Sequence, residues 1–507
     1  MLSRGFWSRS RAKALGVALV CCALLVVIAG VEQAAAVEPP PQLRLTAGER
    51  SAEAFLEQFC GPPTEEGLTG CQIGALAANF QFPALAARPG SEVVIDTRLE
   101  ATTVTVALSR PSGAGEDPAA PARRIDGRRW AFVMPSANAR ASIDVEYADG
   151  GSSSSLLTLR RVVADSAGRS SVDAHGDVVI WSERQDGAGS QSDSYHLTAM
   201  TADGVDRLPV AARSVPFDVD LGPGEDGQVV AVYSRCAREP STDDPGFVYS
   251  VPYPAYTRGD GCDVYRFDFA TGQERKVAGA STDQASEMLP SIWGDRIAFA
   301  RVYEQRSGDR GRVPYLYARP LAVGSSQRLP GGSRGASGLP GPVSLDLYGR
   351  RLSFVWNHRT GSRSGDTGGV SEVRLDTIGG GHRVLSQASH EGTGEGASYA
   401  SFVSPQGAEG RILYGYQRVG IETEAFAIPQ PDGQHIDAVR TTAAPRTNLL
   451  LRYRITNRDK DLVRAPTSIA GVATTGRDAL YIAQRSDFLA QDLARTAIID
   501  VSDLAFP

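Results

Sequence analysis

The chain has 507 residues, of which 42% are hydrophobic, 22% are charged and 7% are aromatic. This balance is typical of folded globular protein, and it excludes both a disordered chain and one embedded throughout in a membrane. The formal net charge of −6 argues against nucleic acid as a partner, because phosphate binding needs a basic surface.

Residues 1–36 have the three-part pattern of a secretory signal. Four basic side chains precede an apolar run at residues 14–31, and three alanines follow at residues 34–36. We predict cleavage after Ala36 and a secreted or other extracytoplasmic location in the cell envelope. The alternative is an uncleaved N-terminal anchor, because an apolar run of about 18 residues is at the lower limit for crossing a bilayer. Such an anchor is the only membrane attachment that the sequence suggests.

Residues 37–155 are predicted to form a small β-sandwich-like domain that includes one short helix. Four apolar residues between Ala52 and Phe59 recur at helical spacing, after which the period of the pattern changes to two. The four predicted strands are residues 92–96, 103–108, 130–134 and 143–147. The serines at residues 152–155 are interpreted as a linker to the rest of the chain.

Four cysteines follow residue 36, and disulfides are the default for an even number in an oxidising compartment. Three connectivities are possible, and proximity in the sequence favours Cys60 with Cys71 and Cys236 with Cys262. Neither pair has the spacing of zinc ligands. We predict no metal site from these residues.

Residues 156–507 repeat, and the marker of each copy is a glycine that precedes a short apolar strand. The marker glycines lie 51 to 67 residues apart, a loose period that favours propeller blades with loops of variable length. They are Gly176, Gly227, Gly294, Gly349, Gly410 and Gly476. One apolar segment precedes each marker strand and two more strands follow it in most copies, so that four strands form one blade.

These repeats resemble those of TolB-like propellers, which are short WD40-like (PD40-type) repeats with a turn before an apolar strand. The resemblance is carried by residues 220–234 and 290–299, although no copy has the complete Ser-Pro-Asp-Gly turn of the family. It implies an all-β fold with a six-bladed β-propeller at residues 156–507. It implies no particular function, because propellers serve many. Seven blades are the alternative if residues 449–455 begin another blade.

The sixth copy lacks a fourth strand, and residues 157–163 have the basic-then-apolar ending of the other fourth strands. We predict that this segment completes the last blade and closes the ring, because closure removes two exposed sheet edges. The alternative makes it the last strand of the sandwich.

The sequence contains no catalytic signature: a nucleophile elbow, a zinc-peptidase motif, a phosphate-binding loop and a dinucleotide fingerprint are all absent. We predict no cofactor and no catalytic residue. Asp218, Asp220 and Asp346 stand on predicted innermost strands, where alternation points side chains into the central channel. They are candidates for binding a cation or a sugar hydroxyl. The alternative is that they bond the neighbouring backbone.

The segment between Cys236 and Cys262 is the candidate binding surface, because antiparallel strands on either side would let a disulfide staple its base. Its aromatic residues are Phe247, Tyr249, Tyr253 and Tyr256. Tyrosine rings offer flat contact area for a protein or a glycan, unless they pack the loop onto its own blade. Arg301 and Arg312 belong to the equivalent loop of the next copy and are candidates for an anion-binding patch or for a solvated charged face.

The predicted function is therefore that of a non-enzymatic binding or scaffold protein of the cell envelope, with an unknown protein or glycan as partner. The alternative is a glycan-active enzyme, a lyase or hydrolase, that uses carboxylates in the channel. Two carboxylates roughly 5 to 10 Å apart with perturbed pKa values would indicate the enzyme. A third hypothesis is a membrane-tethered assembly factor, which requires the N-terminal segment to stay uncleaved.

Overall fold

The computed structural model describes residues 41–502 with internal gaps. The gaps are residues 64–69, 75–81, 111–119, 168–170, 186–193, 240–259, 304–313, 323, 332–340, 360–368, 391–397, 409–410, 430–434, 454–458, 466–468, 476–479 and 486–494. The described residues form strands and turns without a helix, which confirms the predicted all-β class. In this part of the chain no helix is long and apolar enough to cross a membrane. The predicted signal, residues 1–36, lies outside it.

The N-terminal region folds into two sheets that share one core. Its strands are β1 (Arg44–Ala47), β2 (Arg50–Glu53), β3 (Phe55–Cys60), β4 (Cys71–Ile73), β5 (Ala84–Ala87), β6 (Glu92–Asp96), β7 (Ala101–Ser109), β8 (Arg123–Arg124), β9 (Arg129–Val133), β10 (Ala139–Tyr147) and β11 (Ser152–Ala167). One sheet has the order β2-β1-β6-β9-β8, and the other contains β7, β10, β11, β3 and β4, with β5 parallel to β11. Ile95 and Trp130 of the first sheet pack with Val106, Ile143 and Leu157 of the second. This packing confirms the β-sandwich.

The predicted helix between Ala52 and Phe59 is wrong, because the segment crosses from one sheet to the other. β2 pairs with β1, while β3 pairs with β11 and β4. The buried Ala54 lies between the two strands, and its backbone N–H donates to the carbonyl of Leu43. The apolar residues face the core from two strands rather than from one helical face. Pairing with distant strands outweighs the local pattern.

The remaining strands form four-stranded units in chain order. They are β12 (Val172–His175), β13 (Val178–Gln185), β14 (Ser194–Thr201), β15 (Gly204–Arg207), β16 (Asp220–Pro223), β17 (Val229–Arg238), β18 (Asp260–Asp268), β19 (Gln273–Lys276), β20 (Ala285–Trp293), β21 (Arg296–Tyr303), β22 (Pro314–Pro320), β23 (Gln327–Arg328), β24 (Gly341–Tyr348), β25 (Arg351–Arg359), β26 (Gly369–Thr377), β27 (His382–His390), β28 (Ser398–Ala408), β29 (Arg411–Pro429), β30 (His435–Tyr453), β31 (Asp459–Ala465), β32 (Ile469–Thr474), β33 (Leu480–Arg485) and β34 (Arg495–Asp500).

The first strands of these units are β12, β16, β20, β24, β28 and β32. Each contacts the first strand of the next unit, and β32 contacts β12, so that the described first strands make a closed ring. The other strands of each unit follow outwards by antiparallel pairing. A ring of radially arranged antiparallel sheets is a β-propeller, as predicted.

Strand β11 belongs to both parts of the molecule. Its first half pairs with β10 in the sandwich, and residues 162–167 pair with β34 as the fourth strand of the last unit. Ring closure by this segment is confirmed, but the closing residues lie further along the chain than the predicted 157–163. The predicted linker at residues 152–155 is wrong, because these serines lie in the sandwich between β10 and β3. Alternate serines are buried there.

Residues 449–453 do not begin another blade. They lie in β30, which pairs with β29 on one side and β31 on the other as the third strand of the fifth unit. Residues 424–428 belong to β29, the second strand of that unit. The hairpin of β29 and β30 therefore extends beyond the ends of the neighbouring strands β28 and β31.

Candidate functional site

Hydrogen bonds between side chains and backbone join successive first strands near the propeller axis. In each case a side-chain oxygen of one unit accepts from a backbone N–H of the next unit. The pairs are Asp173 with Leu221, Asp220 with Ile292, Ser291 with Leu347 and Asp346 with Gly407. We name the four side chains Asp173, Asp220, Ser291 and Asp346 the inter-blade belt. The inter-blade belt thus places one such hydrogen bond at each of four consecutive boundaries between units.

The turn after each first strand sets the position of the belt. Asp173, Ser291 and Asp346 each stand three residues before the marker glycine of their copy, and these glycines have φ of 56°, 60° and 64°. This left-handed conformation favours glycine, so the turn begins at the same place in these three units. Sequence reasoning missed Asp173 and Ser291, and their constant distance from the glycine was the signal that could have identified them.

Three of the belt residues are buried carboxylic acids. Asp173, Asp220 and Asp346 are 2%, 4% and 7% exposed. Burial raises the pKa of Asp346 to about 7. Burial, followed by repulsion from the other belt carboxylates, raises the pKa of both Asp173 and Asp220 well above the usual range. The three groups are close enough to repel one another when they are charged.

The predicted channel residues do not all meet. Asp346 is close enough to Asp220 to raise its pKa, whereas Asp218 accepts hydrogen bonds from the backbone N–H groups of Ser234 and Leu289 at 2.9 and 2.7 Å. All three carboxylates thus bond backbone of their own or the next unit, which was the alternative interpretation. No group of three His, Cys, Asp or Glu side chains within the described ranges is arranged to hold a metal ion.

Three aromatic rings from different units meet beside the belt. His175, Trp293 and Tyr348 each follow a belt residue by two positions, so alternation places them on the same face of their strands. The ring centroids of His175 and Trp293 are 5.4 Å apart, and those of Trp293 and Tyr348 are 4.2 Å apart. Burial lowers the pKa of His175, which favours the neutral imidazole.

Both predicted disulfides are present. Cys60–Cys71 joins β3 to β4, and Cys236–Cys262 joins β17 to β18. Each bridge connects residues that stand directly opposite in an antiparallel pair. We name residues 237–261 the stapled loop. Its predicted contact residues Phe247, Tyr249, Tyr253 and Tyr256 lie outside the described residues.

A buried arginine anchors the base of the stapled loop. The Arg213 side chain is 2% exposed and forms ion pairs with Asp218 at 3.1 Å and Glu239 at 2.7 Å. It also donates to the carbonyl of Ser234 at 2.7 Å. Glu239 is the last described residue before the loop tip, so this network fixes the point where the chain leaves the propeller. Nothing in the sequence near residue 213 signals this role.

The prediction for Arg301 is wrong. This residue is buried, and its Nε donates to the carboxylate of Glu287 at 2.8 Å. Its guanidinium also lies 5.2 Å from the ring centroid of Phe299 and 4.9 Å from that of Tyr317. The Arg301 charge is already paired with Glu287 and lies beside two aromatic rings, so it is not available to an anion at the surface. Arg312 lies outside the described residues.

No family model and no curated protein matches the sequence. Among solved structures, TolB from Acinetobacter baumannii is 14% identical with a TM-score of 0.31, and the match covers 71% of this chain and 63% of that one. Oligogalacturonate lyase from Vibrio parahaemolyticus is 8% identical with a TM-score of 0.33, and 88% and 97% are covered. The propeller domain of the trilobed protease from Pyrococcus furiosus is 10% identical with a TM-score of 0.30, and 66% and 94% are covered.

The chain thus spans less than two thirds of the TolB structure that it matches. The propeller fold is assigned from the strand order of this chain and not from these similarities. By the topology of its sheets, this chain is a β-propeller with an N-terminal β-sandwich, and it is similar to the TolB-like propellers.

Proposed function

We propose that this chain is a non-enzymatic extracytoplasmic binding or scaffold protein of the cell envelope, and that it presents the stapled loop to a protein or glycan. The observation that carries the proposal is the anchored base of this loop. The Cys236–Cys262 bridge holds its two ends, and Arg213 holds Glu239 in a buried network. A fixed base reduces the conformational entropy that a loop loses when it binds a partner. Disulfides are also typical of proteins in oxidising compartments.

The position of the loop supports the same proposal. Connections between the second and third strands of the units all leave one face of a propeller, because the strands alternate in direction. The connection from β17 to β18 is the longest of these six connections. The longest loop on this face is thus also the one with a disulfide at its base. Such loops on a rigid scaffold commonly carry binding function.

A ligand screen tests the proposal. We expect a cell-wall glycan or a purified envelope protein to raise the melting temperature of the wild-type chain. A ligand at a hundredfold excess over its Kd adds about 2.7 kcal/mol to the free energy of unfolding. The stabilisation should disappear in the variant Tyr249→Ala/Tyr253→Ala/Tyr256→Ala. It should persist in the control Ile73→Ala, whose side chain lies on the sandwich and is 78% exposed. Stabilisation that survives the triple substitution would exclude the loop as the site.

One observation favours the alternative, a glycan-active enzyme. Asp173, Asp220 and Asp346 converge with raised pKa values, as paired catalytic acids do. Their burial opposes this function, because a glycosidic bond must reach the acid. We expect no depolymerisation when the purified protein is incubated with glycans and the products are sized by chromatography. Product release that Asp346→Asn reduces by a factor of about 100 or more would identify the enzyme instead.

A further inference from the structure

We propose that Asp173, Asp220 and Asp346, which we name the carboxylate belt, form a proton-dependent latch on the propeller ring. The belt holds protons in acidic solution, and it loses them as the pH rises. Charge then accumulates at the centre of the ring and loosens the contacts between first strands. This inference goes beyond the proposed binding function and concerns a different part of the molecule.

The placement of the three groups is the first support. They stand on three different first strands, β12, β16 and β24, so any repulsion between them acts across boundaries between units. One oxygen of each accepts a backbone N–H of the following unit. The other oxygen of Asp173, Oδ1, is buried without a hydrogen bond of ordinary geometry among the described residues, and the only side-chain donor near the carboxyl is the neutral amide of Gln406. A proton on this oxygen would remove the charge that the site leaves uncompensated.

The second support is the surrounding charge. The described segments around the belt carry three buried basic side chains, and each has another partner: Arg213 pairs with Asp218 and Glu239, Arg266 with Asp268, and Arg301 with Glu287. The His175 ring meets the Trp293 ring edge to face, and burial lowers the pKa of His175.

In the part of the chain that the structure describes, the leading influences on the belt are burial, mutual repulsion and neutral hydrogen-bond donors. An uncompensated buried carboxyl group neutralises itself by binding a proton.

The sign of the pH dependence follows from the raised pKa values. A carboxyl group whose pKa is higher in the folded than in the unfolded chain stabilises the fold fully below the unfolded pKa of about 3.9. That contribution is lost as the pH rises through the folded pKa, which for Asp346 is about 7. Over this window, a rise of one pH unit lowers the folding equilibrium constant about tenfold for each proton that the folded state holds in excess of the unfolded state.

Melting temperatures of the purified wild-type chain and of Asp173→Asn, measured from about pH 5 to pH 8.5, test the latch. Asparagine has the shape of the protonated acid, retains an acceptor for the Leu221 N–H, and cannot ionise. We expect the melting temperature of the wild type to fall with rising pH and that of Asp173→Asn to fall less. The variant should be the more stable protein at pH 8. A variant that is less stable than the wild type at every pH, with an unchanged slope, would overturn the proposal.

Two further variants keep the test decisive. Ser291→Ala removes the inter-blade hydrogen bond to the Leu347 N–H and also a hydrogen bond that lowers the pKa of Asp220, so it should lower the melting temperature and leave the fall with rising pH in place or make it steeper. Asp346→Asn provides the same comparison as Asp173→Asn on a second strand if the first variant does not fold.

Calcium, magnesium and EDTA are tested at pH 8. A cation that raises the melting temperature of the wild type but not of Asp173→Asn would show that the belt binds a metal ion rather than protons. None of these outcomes depends on whether the stapled loop binds a partner.

Discussion

Replacement of Arg213 by methionine is expected to lower the free energy of unfolding by about 3 to 5 kcal/mol. The substitution leaves the Asp218 carboxylate, whose side chain is fully buried, without its positive partner. It also frees Glu239 at the start of the stapled loop. Breaking one side of a buried ion pair is costly because the remaining charge stays out of water. Urea denaturation of the purified protein measures the change.

Glu239→Gln is the matched control for this prediction. It removes the outer ion pair of Arg213 but retains the inner pair with Asp218, so we expect a smaller loss of about 1 kcal/mol. If Arg213→Met and Glu239→Gln had equal effects, the buried pair with Asp218 would not be the main contribution. Near-neutral behaviour of Arg213→Met would contradict the network altogether.

Removal of the closing strand is expected to change the oligomeric state. A chain of residues 168–507 lacks the segment that pairs with β34, so this strand becomes an exposed edge. Such an edge pairs readily with other chains. We expect this chain to elute as oligomers or aggregates in size-exclusion chromatography with light scattering. A chain of residues 160–507 retains the closing segment and should stay mainly monomeric.

The two truncated chains differ only in the closing segment, since both lack the sandwich. Both also lose the hydrogen bond from Asn138 to Asp500 and the ion pairs of Arg50 and Arg88 with Asp165. Equal aggregation of the two chains would assign the stability of the ring to these sandwich contacts. A monomeric 168–507 chain would show that the ring does not need the strand.

Features that depend on a local pattern of residues were predictable from the amino-acid sequence alone. Alternating apolar residues predicted most of the strands. The marker glycines located the first turn of the units, because the four that the structure describes, Gly176, Gly227, Gly294 and Gly349, adopt a φ that other residues avoid. The pairing of Cys236 with Cys262 followed from strands on both sides of one loop. Each of these inferences uses residues that are close in the chain.

Features that depend on partners distant in the chain became visible only in the tertiary structure. Residues 52–59 have helical spacing but form strands, because β1 on one side and β11 on the other supply the hydrogen bonds. Arg301 is indistinguishable in sequence from a surface arginine, and its partner Glu287 became visible only when β20 and β21 paired.

The carboxylate belt shows the same limit. Asp173 and Asp346 are 173 positions apart in the chain, yet in the folded protein they are close enough to repel each other. Burial and mutual repulsion act through space, so the acids acquire their raised pKa values only when the ring closes.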